Sequence, residues 1–203
     1  MELASLFEQY HAPFMARYAG RLSPEQQQAI AAIHRCRTPQ SGELRVCCTG
    51  CDHSQCQPLS CGHRSCPKCQ NVDATRWLDR QRAKLLPVEY FMVTFTLPAE
   101  LRALARHHPR EIYAILFSCS ASTLKDFGFN PKKLGAEIGM TAILHTHTRR
   151  LDYHPHVHIV VPGGGVDTQR RQWKKIKGNY LFNAFALANV FRAVSVQPPH
   201  LFF

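Results

Sequence analysis

The chain has 203 residues, 25 lysines and arginines against 14 aspartates and glutamates, a formal charge of +11 and a hydrophobic content of 45%. That apolar content excludes wholesale disorder. The charge excess argues for a polyanionic partner, nucleic acid before an anionic membrane surface, and against a typical metabolic enzyme. No apolar run approaches the ~18 residues of a membrane span, and Met1 to Glu8 lack the basic region and apolar stretch of an export signal. The expectation is an intracellular, cytoplasmic protein with no membrane contact. Eight of the nine cysteines lie between Cys36 and Cys69. Clustered, paired cysteines in such a chain point to zinc rather than to disulfides.

In chain order, Leu3, Leu6, Phe7, Tyr10, Phe14 and Tyr18 repeat at helical spacing, with an interruption predicted at Pro13. Ser23, Pro24 and Glu25 read as an N-cap, a first-turn proline and an acidic first turn, opening a helix to about His34. Residues 36–70 are cysteine, glycine, proline and polar residues, the composition of a knuckle whose core is an ion. Helix returns from Asn71 to Leu86. Tyr90 to Leu97 is aromatic and β-branched and stops at Pro98, a strand. Glu111 to Phe127 reads as an amphipathic helix ended by Gly128 and Pro131. Ile138 to Thr148 and His154 to Val161 read as two further strands, the second closed by Pro162 and the glycines 163–165. Lys174 to Lys177 form a basic patch beside Trp173, and Tyr180 to Val194 reads as a short strand running into a helix. The predicted fold class is α+β: a helical zinc-binding module over residues 1–88, then, over 89–203, an antiparallel sheet with helices on one face.

Cys48-Thr49-Gly50-Cys51 and Cys66-Pro67-Lys68-Cys69 are two CxxC pairs. Zinc takes four soft ligands in a tetrahedron, and a CxxC turn aims two sulfurs at one ion. The pairing predicts one structural zinc on Cys48, Cys51, Cys66 and Cys69. Cys36, Cys47, Cys56, Cys61, His34, His53 and His63 are left over. Spacing alone leaves open whether Cys36, His53 and Cys61 hold a second zinc or stand by.

On the strand from His154, alternate side chains share a face, so His154, His156 and His158 stand together, opposite Val157 and Ile159. His145 and His147 repeat the spacing on the preceding strand. A hairpin turning near Arg150 and Leu151 sets His145 opposite His156 and His147 opposite His154. Two imidazoles with open positions, His156 and His158, suit a catalytic ion that must also hold a phosphate, with His145 or His154 as a third ligand. His147 reads as a solvated bystander.

His156-Val157-His158 resembles the His-hydrophobic-His motif of the HUH single-strand endonucleases. The larger phrase, Leu144-His145-Thr146 followed by Tyr153 to His158 and Pro162 to Gly165, resembles one branch, the two-tyrosine rolling-circle insertion-sequence transposases. Cys36-Arg37-Thr38, Cys48-x-x-Cys51, Ser60-Cys61 and Arg64-x-Cys66-Pro67-Lys68-Cys69-Gln70 resemble their N-terminal zinc-binding domain. Gly178 to Phe182 and Val190-Phe191-Arg192 resemble the stretch after the histidines.

The resemblance implies an RRM- or ferredoxin-like HUH sheet, a bacterial cytoplasmic setting, and single-stranded element ends as the DNA partner. It also implies magnesium or manganese at the histidine pair. There the ion polarises the scissile phosphate while a tyrosine hydroxyl attacks, leaving a 5′-phosphotyrosyl link and a free 3′-OH. The family's tyrosine, usually one of a pair, lies on a helix well downstream. Here Tyr180 is the one tyrosine after His158. It reads first as a packing residue and second as the nucleophile. Ser65 stands where the family often has histidine, which weakens a second zinc site there unless His63 substitutes. After Ala193 the sequence departs from the family, and the expectation is a truncated chain that keeps zinc-dependent DNA binding and the metal half of the cleavage site, its enzymatic activity left open. The competing reading is a non-catalytic DNA-binding or regulatory remnant that occupies the element's ends without cutting. A third, a metal-dependent hydrolase with a water nucleophile, has only Asp152 and Asp167 to offer as base.

Overall fold

The structure, a computed structural model, describes residues 3–178 and 180–196. It divides into two compact units, Met1–Leu85 and Leu86–Phe203. Residues 197–203, the greater part of the closing run where a departure from the family is expected, lie outside the described residues.

In the first unit, α1 (Leu3–Tyr18) continues through Pro13. The expected interruption is corrected. Proline removes one amide donor, but Pro13 and Gln9, whose carbonyl loses its partner, are both exposed to water. α2 (Pro24–Arg35) opens on a capping box: the Gln26 N–H donates to Ser23 Oγ at 3.3 Å and the Ser23 N–H to Gln26 Oε1 at 2.9 Å. β1 (Glu43–Cys47) and β2 (Ser54–Pro58) pair as an antiparallel hairpin, Glu43 opposite Pro58 and Cys47 opposite Ser54. The module is therefore not wholly helical. Every residue of both strands is exposed, so no apolar alternation marked them in the sequence. α3 (Pro67–Arg82) starts at Pro67 rather than Asn71, because Cys66 caps the helix and the proline ring pre-sets the first helical φ. The second CxxC is thus a first helical turn. Among the described residues of this unit, Ala32, Ile33, Cys36 and Cys66 are the buried ones.

In the second unit, β3 (Tyr90–Thr96), β4 (Thr141–His147) and β5 (Tyr153–Pro162) form an antiparallel sheet in the order β3-β5-β4. α4 (Arg102–His107) and α5 (Pro109–Phe129) connect β3 to β4, and α6 (Ala184–Val196) follows the sheet. Val157, Ile159 and Val161 of β5 are wholly buried and share one core with Phe95, with Leu116, Leu124 and Phe127 of α5, and with Leu187 and Phe191 of α6. The helices therefore cover one face of the sheet, and the chain is α+β. The residues around Leu181 form no strand; Phe182 packs on the Phe127 ring, centroids 5.4 Å apart.

β6 (Gly164–Asp167) and β7 (Gln172–Lys175) make a second hairpin where only a closing turn was expected. Glu137 and Val166 exchange backbone hydrogen bonds of 2.9 and 2.8 Å, which presses the glycines against their neighbours. A Cβ on Gly164 would lie 2.5 Å from the Lys174 carbonyl oxygen and 2.6 Å from the Trp173 ring; one on Gly165 would strike the Glu137 carbonyl. Among the described residues, no helix is long and apolar enough to cross a membrane.

Gly165→Ala is expected to destabilise the second unit by about 1–3 kcal/mol, the range for overpacking. Gly139→Ala, where a Cβ meets only Pro162 at 4.0 Å, is expected to leave the melting temperature unchanged. Thermal melts followed by circular dichroism check both.

Candidate metal centres

Two helix ends and one loop bring four sulfurs together. Cys36 closes α2, Cys66 caps α3, Cys69 sits on the first turn of α3, and Cys61 comes from the segment between β2 and α3. The four Sγ atoms lie within 4.8 Å of one another, with Cys36–Cys69 and Cys61–Cys69 both at 3.6 Å. A tetrahedron with Zn–S near ~2.3 Å has edges of about 3.8 Å, so the spacing fits one zinc ion. Burial opposes ionisation of Cys66, but the Cys69 and Lys68 N–H groups and the Cys36 and Cys61 thiols outweigh it and bring it down to about 7. Burial and the neighbouring thiols push Cys61 up to about 12.

This is not the quartet that spacing predicted. Cys48 and Cys51 stand exposed at the tip of the β1–β2 hairpin. The Cys48 N–H donates to the His53 carbonyl at 2.8 Å, and the Gly50 N–H donates to Cys48 Sγ at 3.4 Å. The Gly50 N–H, then the Cys51 thiol and N–H, hold the Cys48 thiol below its ordinary value. Cys36 and Cys61 take the expected places of Cys48 and Cys51, because a helix starting at Pro67 puts both of its sulfurs beside the end of α2. The set Cys36, His53 and Cys61 is likewise not brought together, since His53 belongs to the exposed hairpin turn. His63 Nδ1 accepts the Ser65 N–H at 3.1 Å.

On the solvent side of the sheet, one ligand nitrogen from each of His145, His156 and His158 lies within 4.8 Å of the others. His145 is the direct cross-strand partner of His156. Ring centroids are 4.5 Å apart for His145–His158 and 4.8 Å for His156–His158. Both β5 imidazoles are anchored through Nδ1. His156 Nδ1–H donates to the His154 carbonyl oxygen at 2.7 Å. His158 Nδ1 shares a 2.9 Å hydrogen bond with the hydroxyl of Thr94, its cross-strand partner on β3. Each ring is left with Nε2 for an ion. Burial first, then the neighbouring His145 and His156, hold His158 below the usual histidine value, which favours the neutral, ligating form.

Between the pairs His145–His156 and His147–Tyr153, β5 carries one residue more than β4. Pro155 has no N–H to give the ladder, and the bulge falls there. The expected pairing of His147 with His154 is corrected accordingly. His147 meets the Tyr153 ring at 5.8 Å, and His154 turns toward α4, where Arg102 Nη2 donates to its Nδ1 at 2.6 Å. His154 is not among the converging imidazoles. Burial, then Arg102 and His156, hold it below the usual value. Tyr180 is exposed rather than packed in the core, and its hydroxyl oxygen accepts the Ala184 N–H at 2.9 Å at the start of α6. Sequence reading missed Thr94 and Arg102. Alternation on β3 puts Thr94 on the histidine face, whereas nothing in the sequence marks Arg102.

Comparison with known proteins agrees with a sulfur-built module ahead of a histidine-bearing sheet. Residues 6–97 match a family described as "Transposase zinc-binding domain", and residues 139–198 one described as "Putative transposase". The chain is 37% identical over 196 residues, 97% of its own length and 49% of the relative's, to "Putative transposase y4qJ" of Sinorhizobium fredii (strain NBRC 101917 / NGR234). It is 29% identical over 177 residues, 80% of its length and 42% of the relative's, to "Transposase for insertion sequence element IS801" of Pseudomonas savastanoi pv. phaseolicola. No solved structure matches. These matches define the class: the insertion-sequence transposases with an N-terminal zinc-binding domain. The chain belongs to the IS91/IS801 family of insertion-sequence transposases. It spans about half the length of the curated relatives it matches.

Zinc content is expected to follow the observed quartet. Cys61→Ser should lose the metal together with much of the first unit's helical signal, and Cys48→Ser should keep both, as read by elemental analysis and circular dichroism. The reverse pattern would restore the quartet predicted from spacing. The depressed His158 gives a pH prediction for the metal-free protein. The unfolded chain takes up that proton first, so this residue's contribution to stability is complete above about 6.5 and declines as pH falls toward the lower folded value. The His158 ring resonance should titrate with a midpoint below 6.5 in NMR.

Proposed function

We propose that the chain is the zinc-bearing, DNA-holding part of a rolling-circle insertion-sequence transposase, acting in the bacterial cytoplasm on single-stranded ends of its element. The observation that carries this reading is the trio His145, His156 and His158, drawn from two strands with the β5 pair already tied at Nδ1. These residues would hold a divalent ion. Three imidazoles without a carboxylate suit manganese better than oxygen-seeking magnesium. Such an ion supplies Lewis acidity to a phosphate oxygen of the DNA. The likeness of His156-Val157-His158 to the HUH motif supports the same reading, as do the names of the two relatives.

The distribution of charge supports a nucleic-acid partner. Lys174 is engaged internally, with Asp167 at 2.8 Å and the Gly135 carbonyl at 2.9 Å. Lys175 and Lys177, with Lys133, Tyr180 and Leu181, line a cavity of about 690 Å³. Cationic groups beside an exposed aromatic ring suit a single strand, whose phosphates pair with lysine and whose bases stack. In the zinc module four protein ligands leave no open position, so the ion's part there is structural.

One observation favours a second reading, end binding without cutting. The Tyr180 hydroxyl is engaged by the Ala184 amide and bonds no histidine of the trio. Incubation with labelled single strands of the element's end and manganese, followed by denaturing electrophoresis, separates the two. A covalent adduct lost in both His156→Ala and Tyr180→Phe makes this chain a nuclease with Tyr180 as nucleophile. Binding without an adduct supports the second reading. Under either, affinity for single strands should fall at least about 10-fold between 50 and 200 mM salt, as expected when several phosphates are contacted. Absent or salt-insensitive binding overturns the DNA reading.

A further inference from the structure

Arg102 and His154 form a pair that neither the histidine trio nor the core uses. Arg102 opens α4. Its Nη2 donates to His154 Nδ1 at 2.6 Å, while its Nε is buried without a partner. A guanidinium has donors only, so His154 Nδ1 is the acceptor and the imidazole proton sits on Nε2. That nitrogen is therefore a hydrogen-bond donor and offers no lone pair to a metal. The His154 ring stands beside that of His156, centroids 5.3 Å apart. The bulge at Pro155 has released it from cross-strand pairing. A donor one ring away from a cation site, backed by a fixed positive charge, is the arrangement that recognises an oxyanion shared with that cation.

We infer that His154 donates its Nε2–H to a DNA phosphate held beside the trio, with Arg102 as the positioning residue that fixes the tautomer. The pair is then a phosphate seat and not a source of a metal ligand. The inference rests on the proposed metal and DNA reading and deepens it by naming what holds the phosphate.

Three measurements on the full chain test it. Nitrogen-15 NMR of the imidazoles should show His154 protonated at Nε2, a preference that Arg102→Met abolishes. Manganese affinity, read by electron paramagnetic resonance, should change less than about twofold in His154→Ala but fall about tenfold or more in His156→Ala, the usual scale for losing a ligand or its support. Binding of a short single-stranded oligonucleotide in manganese should weaken about tenfold in His154→Ala, the size of one charge-assisted hydrogen bond. It should recover in His154→Gln, whose amide N–H takes the place of Nε2–H, and not in His154→Asn. A His154 unprotonated at Nε2, a manganese loss in His154→Ala equal to that of His156→Ala, or an unchanged oligonucleotide affinity each overturns the inference. If the wild-type protein takes up no manganese, the metal reading falls alone. The same oligonucleotide series without metal then decides the pair, with rescue by glutamine supporting it and equal affinities overturning it.

Discussion

The second unit depends on the two faces of β5. Val157, Ile159 and Val161 have no exposed surface, and strands flank them on both sides. Burying each such side chain contributes about 1.5–3 kcal/mol. A slip of one residue would exchange them for His156, His158 and Val160, putting imidazoles into hydrocarbon without partners. The apolar face therefore locks the register, and the register decides which nitrogen meets which. His145 faces His156, and Thr94 faces His158, as a consequence of packing on the far side of the sheet. The face that carries the chemistry takes its precision from the face that carries none.

The first unit is held together on the opposite principle. Its apolar core amounts to Ile33, Cys36 and Cys66 with a few half-buried neighbours, among them Phe7, Cys61 and Cys69. So small an interior does not offset the ordering of some eighty residues, and most of its residues are cysteines. Metal binding and folding are then a single equilibrium in this unit. The two units answer to different agents. A chelator acts on the first, whereas a cavity or an overpacked glycine acts on the second.

Legibility in the sequence followed the same division. α2 was readable from its N-terminal capping signals, α5 from its amphipathic spacing, β3 from its aromatic and β-branched run, and β5 from the alternation of histidine and aliphatic residues. The β1–β2 hairpin was not, since none of its side chains is buried, and β6 was hidden because its glycines answer to a neighbouring backbone rather than to a turn. The cysteines gave the metal without giving its ligands. A CxxC spacing says that two sulfurs are near each other and nothing about which pair completes the tetrahedron. Pro67 held the missing information, as a first-turn proline that makes Cys66 a helix cap. The pairing of His145 with His156 followed from alternation and the place of the turn, whereas His154 was misplaced by one proline. Arg102 acts on a residue 52 positions away in the chain, a distance at which local patterns carry no signal.

The two anchored imidazoles of β5 differ in how they are encoded. The orientation of His156 is held by the carbonyl of His154, a main-chain atom that every amino acid supplies, so no single substitution at the partner position deletes it. The orientation of His158 hangs on the hydroxyl of Thr94 and disappears with any residue that lacks one. Genetic drift therefore bears unequally on two rings that look equivalent on the sheet. One is protected by the covalent backbone, and the other depends on a side chain of the neighbouring strand, 64 positions away in the sequence.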